Sequence, residues 1–347
     1  MQYNLGKYLR QRYSGFLSET YDENDIYVRS SDVDRTLMSA MSNLAGLYPP
    51  KGDQEWNPDL EWQPIPVHTM PQEEDNVISS HCKCPKYEQL KDNVFEDPRL
   101  KSIQSQNQWL FDYLTKHTGQ NVTDLWDIDY LFDTLYIESV YNKTLPEWTK
   151  KVYPRSMQPL KDLSFKLSTW TPEMKRLRAG PLIQSLLDHF QGFIQSQHAR
   201  KMLMYSGHDT TLSCLLNALE MFDPPIGPPY ASLIMVELHK KRNEYFVQFS
   251  YRNETQRDPY ELTLPGCSTL CPLEKFESLT RHLRPENWKE ECGLELDATA
   301  QAITIFSIGV ALFLSLVLVV SVMFAGVRKL CTPHQYTSKE YKYLSNY

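Results

Sequence analysis

A strand and a helix meet in the stretch Lys201-Met-Leu-Met-Tyr-Ser-Gly-His-Asp-Thr-Thr-Leu-Ser-Cys-Leu-Leu-Asn-Ala-Leu219. Met202 to Ser206 is a short apolar run of strand length, and Gly207 ends it. Beyond the glycine, four leucines repeat at the spacing of one buried helix face: Leu212, Leu215, Leu216 and Leu219. The stretch therefore predicts a buried strand that leads through a tight turn into an amphipathic helix.

His208 and Asp209 lie on the predicted turn, directly before the helix. Free backbone N–H groups and the positive end of the helix dipole make this position suitable for phosphate or another anion. A histidine adds hydrogen-bond donors there, and an adjacent aspartic acid can protonate a leaving group. The alternative is structural, because an aspartate commonly caps a helix and a histidine is an ordinary loop residue. The two residues alone leave both interpretations open.

A second strand, turn and helix follow the same plan near the start of the chain. Ile26 to Arg29 is predicted as a brief strand, Ser30 to Asp34 as a polar turn, and Arg35 to Ala45 as a helix. Arg29 stands at the end of this strand, and arginine is well shaped to hold phosphate through two parallel donors. The alternative is a structural salt bridge from Arg29 to an aspartate of the turn, Asp32 or Asp34.

Composition limits the class of protein. The 347 residues are 41% hydrophobic and 12% aromatic, which is typical of a globular chain of one large domain or two ordinary ones. The formal net charge is −7 and no extended run of lysine or arginine occurs, so we expect no nucleic-acid partner.

The remaining patterns divide the chain coarsely. Residues from about 86 to 190 carry helical patterns and are predicted as a helical insertion between two strand-bearing parts. Ser232–His239 and Glu244–Tyr251 alternate around a polar turn and are predicted as an antiparallel hairpin. Leu273 to Leu283 is predicted as a further helix.

One segment has the composition of a membrane span. Residues 298–327 carry no charge and are almost wholly apolar from Ile303 onward, and about 20 such residues cross a bilayer. Arg328 and Lys329 follow the segment, whereas acidic residues precede it. The positive-inside rule then predicts a cytosolic tail over 328–347 and a luminal or extracellular part over 1–295, as in a single-pass type I protein.

Sequons and cysteines agree with that placement. Asn-x-Ser/Thr sequons are predicted glycosylation sites at Asn121, Asn142 and Asn253. Cys82-Lys-Cys84 resembles half of a zinc site, but no second pair follows at suitable spacing, so we expect disulfide chemistry and no metal. No secretory signal opens the chain at Met1, so we expect a form shortened at its start.

Several of these stretches together resemble the histidine acid phosphatases, in particular the branch of prostatic and lysosomal acid phosphatases. The resemblance is carried by Tyr27-Val-Arg-Ser-Ser-Asp-Val-Asp-Arg-Thr-Leu-Met-Ser-Ala40, Trp62-Gln-Pro-Ile-Pro-Val-His-Thr69, Tyr205-Ser-Gly-His-Asp-Thr-Thr211, Tyr251-Arg-Asn-Glu-Thr255 and Leu264-Pro-Gly-Cys267. It extends from Met1 to about Cys292. Matches of this length are specific to a family, unlike a single His-Asp pair.

The resemblance implies an α/β fold, with a central mixed sheet flanked by helices and a helical insertion. It implies hydrolysis of phosphate monoesters through a phosphohistidine intermediate, without a cofactor, which divides one hard displacement into two. Arg29 falls on a phosphate-gripping arginine, His208 on a histidine that binds the phosphoryl oxygens, and Asp209 on the acid that protonates the departing alcohol. A homodimer is also implied.

The same resemblance exposes a departure. The family's nucleophile belongs to an Arg-His-Gly-x-Arg-x-Pro motif on an early central strand, and no Arg-His-Gly is present here. We therefore expect the central N-terminal strand to be missing and the chain as given to be inactive. The alternative function is a non-catalytic type I membrane glycoprotein built on a phosphatase scaffold.

Two further expectations concern cysteines and the tail. The resemblance implies the disulfides Cys84–Cys292 and Cys267–Cys271, and it leaves Cys82 and Cys214 without partners. Tyr341-Lys-Tyr-Leu344 has the Tyr-x-x-bulky form read by clathrin adaptors, in which Tyr341 and Leu344 are bound. This tail predicts cycling through endosomes to the lysosome membrane, with some protein at the cell surface.

Overall fold

A computed structural model describes residues 1–196, 200–254 and 257–330. The chain separates into two units, Met1–Cys292 and Gly293–Tyr347. The predicted sorting residues Tyr341 and Leu344 lie outside the described residues. The first unit holds both sheets and all the candidate site residues.

Two parallel strands form the smaller sheet. Strand β1 (Ile26–Ser30) pairs with β2 (Met202–Ser206), with Ile26 opposite Met202 and Ser30 opposite Ser206. Ile26, Val28 and Ser30 are buried, while Tyr27 and Arg29 point to the other face, as period-2 alternation requires. Because the strands are parallel, both carboxyl ends reach the same edge of the sheet.

Four antiparallel strands form the larger sheet. The predicted hairpin is β3 (Leu233–Lys241) and β4 (Glu244–Arg252), and β5 (Tyr260–Leu262) and β6 (Leu270–Pro272) both pair with β4. The single central mixed sheet expected from the sequence is therefore replaced by two sheets. Among the described residues no strand pairs with the edge of β2 opposite β1 or with that of β3 opposite β4.

Side chains, and not backbone hydrogen bonds, connect the two sheets. Met235 of β3 belongs to the same core cluster as Val28 of β1, with Met202 and Met204 of β2 packed against it. Helices α1 (Gln2–Arg12) and α2 (Asp34–Leu47) contribute four further members of this cluster: Leu9, Ala40, Leu44 and Leu47. Without ladder bonds between β2 and β3, the parallel pair and the antiparallel sheet stay separate sheets.

Two glycines allow helices α1 and α2 to cross closely. A Cβ atom at Gly6 would overlap the carbonyl oxygen of Asn43, and one at Gly46 would overlap that of Tyr3. Backbone contact at this crossing is possible only without side chains. The crossing holds the last turns of α2, and the first turn of the same helix carries part of the candidate site.

The predicted helical insertion is present. It contains α3 (Pro85–Asp92), α4 (Pro98–Gln106), α5 (Gln108–Thr118), α6 (Leu125–Val140), α7 (Gln158–Leu167) and most of α8 (Pro172–Ser196). Helix α9 (Asp209–Ala218) follows β2, and its buried Leu215 and Ala218 pack with Ile183 and Leu187 of α8. Helices α10 (Leu273–Thr280) and α11 (Trp288–Glu291) complete this unit.

Two disulfides join the pairs that the family resemblance implies, Cys84–Cys292 and Cys267–Cys271. The first links the start of α3 to the end of α11, across 208 residues of sequence. Cys82 and Cys214 are free and buried. Of the predicted glycosylation sites, Asn121 and Asn142 are exposed and Asn253 is partly exposed.

A single long helix, α12 (Leu294–Leu330), forms the described part of the second unit. Its segment Ile305–Met323 is long and apolar enough to cross a membrane, and none of it is buried in the protein. The predicted span over 298–327 contains this segment.

Candidate active site

The site forms where the two parallel strands end and two helices begin. The N–H of Ser31, just past β1, donates to the carbonyl oxygen of Ser206 at 3.0 Å, which keeps the strand ends together. Helix α2 starts at Asp34 and helix α9 at Asp209. Two helix N-termini therefore lie beside one another, and their unpaired N–H groups and dipoles favour an anion between them.

His208 is the residue that precedes α9. Its backbone is extended and its N–H donates to Thr211 Oγ1 at 3.2 Å, which fixes the turn. The ring atom Nε2 lies 3.0 Å from Ser31 Oγ, and Ser31 is in turn fully buried and hydrogen-bonded to Thr36. The imidazole predicted to bind phosphate is therefore fixed between β1 and α9.

Cationic side chains surround His208 from three directions. Burial, followed by the charges of Arg35 on α2, His81 on the loop before α3 and Arg178 on α8, lowers the pKa of His208 to about 4. The imidazole is therefore neutral at pH 5 to 7 while the site holds no anion. A bound phosphate would oppose these charges and raise the pKa of His208.

Arg35 is the cation that sequence reasoning did not select. It is the second residue of α2, it is exposed, and it forms no hydrogen bond or ion pair with the described residues. Its charge acts on both His208 and Asp209. The sequence nevertheless places Arg35 in the first turn of a helix that follows a strand, and the same position predicts a site role for Asp209.

Arg29 forms an ion pair with a buried aspartate. Its guanidinium Nη2 pairs with Asp75 Oδ1, and the Asp75 side chain is 0% exposed. The same oxygen accepts the N–H groups of Val77 at 3.0 Å and Ile78 at 3.1 Å. The structural alternative named the wrong partner, because neither Asp32 nor Asp34 pairs with Arg29. Through Nη2, the arginine predicted to bind phosphate ties β1 to the loop around Asp75.

Asp209 opens α9 at the mouth of the site. Its Oδ1 accepts the N–H of Thr210 at 2.7 Å, so the capping alternative is partly realised. Although the residue is exposed to solvent, the surrounding protein raises its pKa by desolvation, against the opposing effects of that N–H group, Lys161 and Arg35. An aspartic acid with a raised pKa keeps its proton to higher pH, as a general acid requires.

A second carboxyl group faces Asp209 from α6. Burial, and then the charges of Asp209, Asp133 and Asp162, raise the pKa of Asp129 to about 7, against the opposing charge of Lys161. Lys161 itself lies 3.6 Å from Asp162. Asp129 therefore keeps its proton through the mildly acidic range in the folded protein.

This shift predicts a pH-dependent stability. Unfolded Asp129 ionises near pH 4, whereas the folded residue ionises near pH 7, so its ionisation destabilises the fold progressively as pH rises between these values. We expect Asp129→Asn to leave stability unchanged at pH 4 and to raise it by on the order of 2 kcal/mol at pH 8, several degrees of melting temperature. Thermal unfolding of the full chain in detergent at both pH values tests this.

Asp53→Asn, at an exposed loop position, is the matched control for that measurement. It should change the melting temperature equally little at both pH values. A gain from Asp129→Asn that is the same at pH 4 and pH 8 would contradict the assignment, because the benefit would then not come from the carboxyl's ionisation.

Comparison with known proteins identifies the scaffold that carries this arrangement. Residues 1–252 match the family described as the histidine phosphatase superfamily (branch 2). The chain belongs to this family. It is 43% identical to human prostatic acid phosphatase over 296 residues, which cover 84% of this chain and 76% of that protein. It is 38% identical to human lysosomal acid phosphatase over 329 residues, which cover 93% of this chain and 78% of that protein.

Solved structures agree on the fold. The phytase from Citrobacter braakii superposes with a TM-score of 0.61 at 18% identity, over 84% of this chain and 87% of the phytase. The Hafnia alvei phytase in complex with tartrate gives 0.59 at 16% identity, over 84% and 87%. The predicted mixed α/β histidine phosphatase fold and the predicted relation to prostatic and lysosomal acid phosphatases are confirmed.

Within the part of the chain that the structure describes, no group of three or more His, Cys, Asp or Glu is placed to hold a metal ion. The residues that meet at the strand ends are His208, Asp209 and Arg35, with His81, Arg178 and Asp129 around them. His81 and Arg178 carried no local signal, because a loop histidine and one arginine of a long helix have many possible surroundings.

Proposed function

We propose that this histidine phosphatase chain binds phosphate monoesters at the joint start of α2 and α9, as an acid phosphatase does. The observation that carries the proposal is an exposed Arg35, which has no ion pair among the described residues, beside a neutral His208 at two adjacent helix N-termini. Arg35 offers paired donors to the phosphoryl oxygens, and His208 binds a further oxygen. Asp209, at the mouth, protonates the oxygen of the departing alcohol.

Arg35 therefore takes the substrate-binding role that the sequence assigned to Arg29. The Arg29 guanidinium already serves the buried carboxylate of Asp75, and moving it to substrate would leave that carboxylate uncompensated. Arg35 forms no ion pair with any of the described residues. In this proposal Arg29 is a positioning residue that acts through Asp75.

Phosphate binding by two variants tests this assignment. We expect Arg35→Ala to weaken binding of inorganic phosphate to the full chain by about 10–100-fold, the worth of charge-assisted hydrogen bonds, at an unchanged melting temperature. Arg29→Ala should instead lower stability by about 3 kcal/mol, because it leaves a buried charge unpaired. Isothermal titration calorimetry and thermal unfolding separate the two outcomes. Unaltered phosphate affinity in Arg35→Ala would overturn the proposal.

The second candidate function is that of a non-catalytic glycoprotein that binds phosphate esters without hydrolysing them. The observation that favours it is the sequence itself, in which no Arg-His-Gly motif supplies the family's attacking histidine. Binding by Arg35 and His208 does not require that histidine, whereas formation of a phosphohistidine does. Turnover measured on the 347-residue chain distinguishes the two functions.

We also propose that the protein forms homodimers through an exposed aromatic patch. Trp56 is 59% exposed, Leu60 41% and Trp62 39%, all on one loop after α2. Large apolar side chains grouped on a surface favour burial against a partner. Sedimentation velocity of the wild type and of Trp62→Glu tests this: a monomer–dimer difference is expected, and identical sedimentation would reject the patch.

For location, we propose a single-pass type I membrane protein of endosomes, lysosomes and the cell surface. Support comes from the apolar segment Ile305–Met323, the basic pair that follows it in sequence, and the similarity to lysosomal acid phosphatase. The Tyr341–Leu344 tetrapeptide is the proposed clathrin-adaptor signal. In an antibody-uptake assay, Tyr341→Ala should raise the surface fraction and Tyr336→Ala should not; an unchanged level in both would remove the signal.

A further inference from the structure

We propose that His81 is a substrate-binding residue that takes a phosphoryl oxygen on the side of His208 supplied by the loop before α3. The inference rests on the function proposed above, since it adds a residue to the same phosphate site. Three observations support it. The loop that carries His81 is hydrogen-bonded to the turn that carries His208. The backbone of His81 is hydrogen-bonded while its ring is not, and several cationic side chains surround His208.

The loop that carries His81 is attached to both elements that build the site. At its start, Asp75 is buried against Arg29 of β1 and accepts the N–H groups of Val77 and Ile78. Further along, the carbonyl oxygen of Ile78 accepts a hydrogen bond from Thr211 Oγ1 at 3.0 Å. Thr211 is the residue whose hydroxyl also accepts the N–H of His208. The loop is therefore connected through one side chain to the turn that carries His208.

The backbone at His81 is held in place while its imidazole is not. The N–H of His81 donates to Ser79 Oγ at 3.1 Å, and Ser79 is buried. On the other side, Cys82 is buried and its Sγ donates to the carbonyl oxygen of Glu73 at 3.4 Å. His81 itself is exposed, and its ring makes no hydrogen bond to the residues that the structure describes. A rigid loop therefore presents an uncommitted imidazole.

Three cations converge on one imidazole without carboxylate partners. Arg35, His81 and Arg178 come from α2, the loop and α8, and each acts on His208. None forms an ion pair within residues 1–196, 200–254 and 257–330; Arg178 lies over the ring of Tyr87 at 5.3 Å. Like charges gathered around one side chain repel one another. A dianion placed among them relieves that repulsion, so the arrangement matches a phosphoryl group.

The phosphoryl group has enough oxygens for this set. A phosphate monoester presents three non-bridging oxygens, each of which accepts more than one hydrogen bond. In this proposal the Arg35 guanidinium and the His208 ring approach from the two strand ends, and the His81 ring donates from the loop. Because a charged donor to an ionised oxygen is stronger than a neutral one, loss of the His81 ring should be measurable in the affinity.

The test is a titration of the full chain in detergent with inorganic phosphate at pH 5.5. We expect His81→Gln to raise the dissociation constant about tenfold, and His81→Lys, which restores a cation, to recover most of the affinity. His282→Gln, at an exposed histidine whose charge is not among those acting on His208, should match the wild type. Melting temperatures of all variants are measured alongside, to show that the fold is intact.

The outcomes separate this inference from the function on which it rests. If Arg35→Ala loses phosphate affinity but His81→Gln binds as tightly as His282→Gln, the role of His81 is wrong and the phosphate site stands. If neither the wild type nor Arg35→Ala shows specific phosphate binding, the proposed function itself is wrong. A loss in His81→Gln that His81→Lys does not recover would also overturn the inference, since it would reflect loop structure and not charge.

Discussion

The 347-residue chain is expected to bind inorganic phosphate and to release no detectable product from a simple aryl phosphate at pH 5. In the proposed function, Arg35 and His208 hold the phosphoryl group and Asp209 protonates the leaving alcohol. The attacking histidine of the family belongs to an Arg-His-Gly motif, and the 347-residue sequence does not contain this motif. Removing the nucleophile of a serine protease lowers turnover on the order of 10⁶-fold, and we expect a loss of similar size here.

The matched control is the same chain extended at its N-terminus by a segment that carries Arg-His-Gly-x-Arg-x-Pro. Within the described residues, one edge each of β2 and β3 has no partner strand and is available to a strand of that segment. The extended chain should hydrolyse the aryl phosphate, and replacing the motif's histidine by alanine should abolish the activity. Turnover by the 347-residue chain within tenfold of the extended chain would contradict the prediction, and with it the non-catalytic alternative.

Local patterns were sufficient for the elements on which the site stands. The apolar run over Met202–Ser206 and the leucine spacing after it predicted β2 and α9, because a strand and an amphipathic helix each have a characteristic period. The same reasoning found β1 and α2 near the start of the chain. Since parallel strands end at one edge, these two strand–turn–helix units also brought their polar turns together.

Pairings between distant residues were not predictable in this way. Arg29 and Asp75 are 46 residues apart, and the sequence around either one does not indicate the other. The strand-end position of Arg29 predicted a phosphate ligand, but it gave no indication of the ion pair with the buried carboxylate of Asp75. The arrangement of the sheets was missed for a related reason: hairpin periodicity predicts that β3 and β4 pair, but not whether β3 also pairs with β2.

The charge environment of the site was also beyond sequence reasoning. Asp129, whose pKa is raised to about 7, lies 80 residues from Asp209 in the sequence. Burial is the largest cause of the raised pKa of each of the two aspartates. Burial is a property of the packed insertion helices and not of the residues' neighbours in sequence. The position of Asp209 predicts a general acid, but the burial that raises its pKa appears only in the folded chain.

Asp209→Asn is expected to produce the second large effect, in the N-terminally extended chain that serves as the control above. An asparagine keeps the size of the side chain and can still accept the Thr210 N–H, but it has no proton to give to the departing alcohol. Formation of the phosphoenzyme should slow on the order of 10²–10⁴-fold, the usual contribution of a general acid. Rapid-quench measurement of phosphoenzyme formation follows this step directly.

The leaving group supplies the decisive comparison. A phenolate with a low pKa departs without protonation, so its phosphate ester should lose little when Asp209 is replaced, whereas an alkyl phosphate should lose the full factor. Asp129→Asn, which alters a neighbouring carboxyl without removing the proposed donor, is the matched control and should preserve the difference between the two esters. Equal losses for aryl and alkyl phosphates in Asp209→Asn would exclude proton donation, because a purely structural or electrostatic role does not distinguish leaving groups by their basicity.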